Sequence, residues 1–319
     1  MHYTYSRLND DSVSKLVESH YDSILPEICR FYISGLHDNY LVIGKKKKFI
    51  LRVYRNDWRT DEEIFFELEF LKFLQSKSIN ISYPETVNDG KSYFYIKGPE
   101  GKRVCALFKY ANGSAPENSI SAEECELLGK HTANLHLAST NFQTLHKRPI
   151  LDLSYLLDRS ISLIFPFVSA TDRTYLNQLQ TQIQNNIPRL SKGTPEYCVC
   201  VGDINPTNFH INSAQSITMF DFDQCGYGQR SFDIGKFSSS MSNLQSKIDN
   251  IRSFLSGYQT ISKLADIELE LIPYFEVISK LWVMSIHVDN ANHIGHKHLE
   301  RKLWDRRMDA IRKLSNNVL

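Results

Sequence analysis

The chain has no long hydrophobic run. No window of its 319 residues approaches the ~20 apolar residues that a membrane-spanning helix needs, so no membrane partner is expected. The first residues, MHYTYSRLNDDSVSKLVESHY, hold no apolar core and do not read as a signal peptide, which leaves a cytoplasmic location as the expectation. An excess of one charge is missing too. Lys and Arg number 37 against 36 Asp and Glu, a net charge of +1 that gives no general attraction to nucleic acid or anionic lipid. The only basic run, Lys45 to Lys48, reads as an exposed hairpin turn. Internal repeats and low-complexity segments are absent. Six cysteines are scattered through apparent core segments, and the one close pair, Cys198 and Cys200, has no further zinc ligands at suitable spacing. Buried free thiols are the expectation.

What the chain does have is room for two lobes, each with a core of its own, and 42% hydrophobic with 23% charged residues, as in ordinary globular proteins. Val13, Leu16, Val17 and Tyr21 give residues 11–24 helical spacing after a capping region, with Pro26 closing that helix. Three strands follow, ICRFYIS, NYLVI and KFILRVYR, then a helix from Asp61 to Ser76 with Ile64, Leu68, Leu71 and Leu74 as its apolar stripe. SYFYIKG and KRVCALFKY complete a five-stranded antiparallel sheet with one main helix inserted after the third strand. Asn112-Gly113-Ser114-Ala115-Pro116 is the clearest linker. Beyond it helices dominate: Ala122 to Ala138, Leu151 to Phe167, Asp172 to Ile187, Lys247 to Tyr258, Leu264 to His287 with a break at Pro273, and His298 to Ser315. The fold class is α+β, with residues 1–111 a sheet lobe and residues 112–319 a larger, mostly helical lobe carrying short hairpins.

Between the helices lies a different kind of stretch, Tyr197 to Lys236. Val199 and Val201 open a strand, and Asp203, Asn205, Thr207 and Asn208 then gather around Pro206, which ends regular pairing. Phe209 to Ile211 and Ile217 to Phe220 form a hairpin that ends at Asp221 and Asp223. Carboxylates and an asparagine at strand ends are suited to holding Mg²⁺ and aiming a hydroxyl.

This outline, with DINPTN followed by DFD, resembles the protein-kinase-like phosphotransferases. Within them it is similar to the aminoglycoside phosphotransferase and choline kinase group, nearest to type II homoserine kinase-like and stress-response kinase members. GDINPTN corresponds to that group's HGDxHPxN loop, and FDFDQCGYGQRSFDIGKF to its IDWDxxxxGxxxxDLA segment. ALFKYANG and LLGKHTANLH are further landmarks. The resemblance implies a two-lobed protein-kinase-like fold, with a nucleotide-binding first lobe and a catalytic, substrate-binding second lobe. It also implies ATP and Mg²⁺ as cofactors, and transfer of the γ-phosphate to a hydroxyl of a small molecule such as an amino acid, amino-alcohol, sugar or aminoglycoside. Under it, Asp203 is the catalytic-loop aspartate at the hydroxyl, Asn208 and Asp221 are metal ligands, and Asp223 reaches a second metal or an outer-shell water. Asp233 is structural, accepting bonds from the catalytic loop's backbone.

In the first lobe, Arg52 stands where the family carries a lysine, with Glu67 as its ion-pair partner and Glu63 as the alternative. Alternation puts Ile50 on the same face, beside the adenine. The turn around Gly35 covers the phosphates, and the segment with Phe108 and Tyr110 meets the adenine through backbone groups. Asn205, Tyr227, Arg230, Trp282 and His287 are the candidates for contact with the acceptor. Val201 replaces the histidine of HGD, and Asn205 a second histidine. With Arg52, Val201 keeps a nucleotide-binding pseudokinase open as an alternative, and the stress-response likeness keeps a protein Ser/Thr kinase.

Overall fold

The computed structural model describes residues 5–116, 120–187, 196–241, 246–316 and 318. Its contacts divide the chain into two compact units. One is Met1–Asn112 with Thr144–Arg148 and Thr218–Phe220; the other is Gly113–Gln143, Pro149–Ile217 and Asp221–Leu319.

The first unit opens with helix α1, Asp10–His20, which Asn9 caps by accepting from Ser12 N. Strands β1 (Pro26–Ser34), β2 (Asp38–Gly44) and β3 (Lys48–Val53) follow, then α2 (Asp61–Ser76), β4 (Phe94–Gly98) and β5 (Gly101–Lys109). The sheet is five-stranded and antiparallel, in the order β1-β2-β3-β5-β4. Strict alternation on β3 sends Phe49, Leu51 and Val53 into a core with Val13, Val17 and Tyr40. Ile50 and Arg52 take the opposite, half-buried face. Helix α2 begins with a reciprocal capping box: Glu63 N donates to Thr60 Oγ1 at 3.3 Å, and Thr60 N donates to Glu63 Oε2 at 2.8 Å. That cap commits Glu63 to the helix start.

The second unit contains α3 (Ala122–Ser139), a π turn (Ser154–Asp158), α4 (Arg159–Ile164), a 3₁₀ turn (Phe165–Phe167) and α5 (Ala170–Asn186). After strands β6 (Tyr197–Cys200), β7 (Phe209–Ile211), β8 (Ile217–Met219) and β9 (Gly226–Gln229) come α6 (Arg230–Ser240), α7 (Lys247–Ile261) and α8 (Asp266–Asp289). The chain ends with α9 (Ala291–Ile294), a 3₁₀ turn (His296–Leu299) and α10 (Arg301–Ser315). β6 pairs antiparallel with β9, and β7 with β8.

Several elements differ from the sequence reading. The helix expected over 11–24 ends at His20. The one expected over 151–167 is split into π, α and 3₁₀ turns, and the last of these changes comes at Pro166, which has no N–H to continue an α-helix. Pro273 does not break α8, which runs unbroken for 24 residues because neighbours such as Leu271, Ile272 and Phe275 are buried around it. By length and composition α8 is also apolar enough to cross a membrane, against the expectation that no window would be, but 61% of that window is buried as a core helix. Leu137, placed on the stripe of α3, is 55% exposed, and Cys29 is half-exposed and not a core thiol. Helix α6 is not among the helices expected from the sequence. Every residue from Arg230 to Ser239 in it is buried, so no polar face exists to show a helical period.

Two buried or half-buried histidines tie this unit's stability to pH. Burial lowers the pKa of His131, whose Nε2 has no hydrogen-bond partner among the described residues, to about 4. Burial and the Arg307 guanidinium lower His287 likewise to about 4. Unfolded, each takes a proton near pH 6.5, so between about pH 6.5 and 4 the unfolded chain holds more protons than the folded one. Stability is therefore complete above pH 6.5 and declines as pH falls toward 4, by up to ~3 kcal/mol for His131. Urea midpoints measured from pH 7.5 to 4.5 should fall in that window, and His131→Gln should flatten the fall.

Candidate active site

The loop after β6 is held from behind by one carboxylate. Asp233, fully buried in α6, accepts Val201 N at 2.7 Å on Oδ2 and Gly202 N at 2.8 Å on Oδ1. His136 Nε2 lies 2.8 Å from the same Oδ2, and its Nδ1 lies 2.9 Å from the Tyr258 hydroxyl. A chain of polar contacts thus runs from α7 through α3 and α6 to the loop. Gly202 has φ +84°, and a Cβ there would stand 2.1 Å from the Gln224 carbonyl oxygen. Only glycine lets these two backbones approach so closely.

That anchoring sets the geometry of Asp203. Its side chain is 31% exposed, and Lys236 Nζ is 2.7 Å from Oδ1. Asn208 Nδ2 donates to Oδ2 at 2.9 Å and to the Asp203 carbonyl at 3.0 Å. With Nδ2 so committed, the asparagine offers its Oδ1 as an acceptor. Asn205 is absorbed by the loop: its Oδ1 accepts from Thr207 N at 2.9 Å and its Nδ2 donates to the Asp203 carbonyl at 3.2 Å. Val201 is fully buried, so an apolar side chain fits where the family's histidine stands.

Asp221, just beyond β8, is exposed and adopts φ +62°, a left-handed conformation that a non-glycine residue holds at a cost of roughly 1–3 kcal/mol. Asp223 is 3% exposed and accepts from Gln224 Nε2 at 3.1 Å, so Asp221 is the more open of the two. Every candidate donor here is a carboxylate or amide oxygen, which suits a hard divalent cation that also takes phosphate oxygens.

In the first unit Arg52 Nη1 meets Glu67 Oε1 at 3.2 Å, while Arg52 Nε donates to Asn39 Oδ1 at 3.3 Å. Glu67 is 1% exposed, and its partner choice follows from the capping duty of Glu63. The Arg52 guanidinium lies 5.4 Å from the Phe108 ring. Gly35 sits in the β1–β2 turn, where its N–H donates to the His37 carbonyl at 3.1 Å and a Cβ would meet nothing within 4 Å. Backbone donors near Tyr110 are already engaged: Lys109 N with the Tyr83 carbonyl and Tyr110 N with the Lys48 carbonyl.

Four candidates for acceptor contact are committed elsewhere. Arg230 is 6% exposed and donates to both oxygens of Glu268, at 2.6 and 2.7 Å, and to Ser262 Oγ and the Lys263 carbonyl. Burial opposes its charge, but the Glu268 hydrogen bonds outweigh burial and raise its pKa. Tyr227 belongs to β9, not to a turn; its hydroxyl donates to the Phe142 carbonyl at 3.0 Å and its ring stacks on Tyr197. β9 escaped the sequence reading because its glycines suggest a turn. They are required by close packing, since a Cβ on Gly228 would stand 2.9 Å from Leu151 Cβ. Trp282 is 1% exposed and packs edge-on against Phe232, a core residue. His287 lies 2.8 Å from Arg307 Nη2 and stacks on His298.

Cys198 and Cys200 acquire a neighbour that spacing along the chain did not show. Ligand atoms of His136, Cys198 and Cys200 lie within 4.8 Å of one another. Both imidazole nitrogens already face Asp233 and Tyr258, so the triad is part of the buried polar cluster behind the loop. Sequence reasoning also missed Lys236 and His136. The only signals were a lysine among small and apolar residues in FDIGKFSSS and the final histidine of LLGKHTANLH.

Residues 29–260 match the phosphotransferase enzyme family. The chain belongs to this family. It is 35% identical over 316 residues to an uncharacterized protein of Synechocystis sp., covering 98% of this chain and 87% of that one. Its fold is similar to that of amicoumacin kinase in complex with AMP-PNP, Ca²⁺ and Ami, with a TM-score of 0.78 at 20% identity over 96% of this chain and 94% of that chain. A microcompartment-associated aminopropanol kinase gives 0.77 at 21% identity, over 97% and 99%. As a member of this family the chain is a phosphotransferase, and its kinase-like fold combines the antiparallel sheet with the helical second part.

Proposed function

We propose that the chain transfers the γ-phosphate of ATP, with Mg²⁺, to a hydroxyl of a small molecule in the cytoplasm. The observation that carries this reading is Asp203: a part-exposed carboxylate on a loop fixed through two backbone amides, with Asn208 bonded to its second oxygen. Asp203 accepts the hydroxyl proton as the acceptor's O–P bond forms and the bond to the ADP oxygen breaks. Asn208 and Asp221 would supply the oxygens that hold the metal, and Asp223 would reach a second metal or an outer-shell water. Mg²⁺, when bound, neutralises charge that develops on the phosphates.

Arg52 gives its charge to the α- and β-phosphates and is oriented by Glu67. Ile50, Phe108 and Tyr110 attend the adenine, and the turn at Gly35 covers the phosphates. Arginine in place of lysine keeps the charge and adds a planar fork. The buried Val201 costs the loop no rigidity, because Asp233 holds its amides directly; that favours an active enzyme over a scaffold. ADP release from Mg²⁺-ATP, tested across amino acids, amino-alcohols, sugars and aminoglycosides, should rise at least tenfold over background with one class and disappear on chelation with EDTA. A purified chain that binds Mg²⁺-ATP yet turns over none of these classes would refute the proposal.

A further inference from the structure

Helix α2 carries Glu67, the partner of Arg52, and five residues from far along the chain fasten that helix. Thr144–Arg148 are flanked by residues of the second unit but group with the first. They lie along one stripe of α2. Thr144 Oγ1 donates to Glu69 Oε2, His146 Nδ1 lies 3.2 Å from Glu62 Oε2, and the His146 ring meets the Phe65 ring edge-on at 5.4 Å. Glu62, Phe65 and Glu69 recur at helical spacing, so this strap follows the helix for two turns. Arg148 makes the contact nearest the backbone. Its Nη1 donates to the Glu63 carbonyl at 2.7 Å, and its guanidinium lies 5.9 Å from the ring of the buried Phe66. In an α-helix that same carbonyl accepts the N–H four residues on, which here is that of Glu67. Arg148 thus grips the peptide to which Glu67 is bonded, and the Glu67 carboxylate reaches Arg52 Nη1 at 3.2 Å. The sheet holds the same end of the helix: Tyr95 of β4 donates to Asp61 Oδ2 at 2.7 Å, and Tyr93 stacks on Phe65 at 4.3 Å. The strap adds no apolar core of its own, since Leu145, its one aliphatic residue, is 97% exposed. Its contacts are polar and aromatic and are aimed at α2, so what they determine is where that helix sits.

We propose that Arg148 is a positioning residue for the nucleotide: through the Glu63 carbonyl it sets α2 so that Glu67 orients the Arg52 guanidinium toward the phosphates. This rests on the reading of Arg52 as the residue that meets the α- and β-phosphates. The Arg52–Glu67 contact is already 3.2 Å long. A helix displaced by about 1 Å would carry the carboxylate beyond hydrogen-bonding distance. Arg148 acts through Glu67 and takes no part in the transfer itself.

The test is binding of Mg²⁺-ATP to the full chain by isothermal titration calorimetry, which needs no acceptor. Arg148→Met keeps the aliphatic stem against Phe66 and removes only the donor. It should weaken binding about fivefold, the low end of coupling between separate sites. Arg148→Lys, which keeps a charged donor, should recover part of the loss. Glu67→Gln should weaken binding about tenfold by removing a charge-assisted hydrogen bond. Arg148→Met added to Glu67→Gln should weaken it no further, because both act through one contact. Leu145→Ala, in the same strap, should bind as wild type does. Thermal unfolding without nucleotide shows that each variant is folded at the assay temperature. The inference is overturned if Arg148→Met binds as wild type does, or if its effect adds in full to that of Glu67→Gln, the mark of a merely structural role. With either result, weaker binding by Arg52→Gln still upholds the reading of Arg52. If Arg52→Gln leaves binding unchanged, that reading falls and the inference falls with it.

Discussion

Asp203→Asn is expected to lower kcat by about 10³-fold, within the range that a positioned general base contributes. The substitution keeps the shape of the side chain and one oxygen acceptor, so one of Lys236 and Asn208 keeps its acceptor while the other meets the new NH2, and the loop, fixed through Asp233, stays in place. What it removes is the capacity to take a proton from the acceptor hydroxyl. The ATP KM should change little, since under the proposed function the nucleotide's charges are met by other residues. Steady-state ADP release with the preferred acceptor measures the loss, and unchanged thermal unfolding excludes damage to the fold. A kcat within about threefold of wild type would remove Asp203 from the chemistry.

Asp233→Ala should act through stability. It would strip three donors of their acceptor at once, Val201 N, Gly202 N and His136 Nε2, all fully or nearly fully buried. Breaking a buried pair costs ~3–5 kcal/mol because the surviving partner is left uncompensated. For a unit of this size that corresponds to a fall in Tm of roughly 10 °C. Activity should fall with it even below the transition, because the loop bearing Asp203 loses both anchoring bonds. Differential scanning fluorimetry gives the first number and turnover at 15 °C the second. Asp233→Asn, which keeps one acceptor oxygen, should fall between wild type and alanine. If the alanine variant melted with wild type, the carboxylate would not be what fixes the loop.

The first unit was legible in the sequence because its strands and helices carry strong local signals. β3 alternates, α2 has a capping box and an apolar stripe, and turn residues separate the strands, so local pattern and tertiary environment agree. The second unit was legible only in part. α6 is enclosed on every side and carries no amphipathic signal; β9 is made of glycines chosen for close packing and reads as a turn. Both therefore hid Lys236 and the true setting of Tyr227 and Arg230. The acids of the loops were visible because glycine, proline and asparagine punctuate them. The acceptor side was not, since a contact such as Lys236 to Asp203 joins residues 33 apart through packing that no local spacing records.

Asp221 carries a last consequence. Its left-handed backbone is one that glycine adopts freely and asparagine tolerates, whereas alanine or glutamate would be strained there whatever their charge. Under the proposed function, variation at this position is therefore filtered twice, once by the backbone and once by the metal it would hold. A glycine would relax the hairpin's end while erasing the carboxylate, so the stabler protein would be the disabled one.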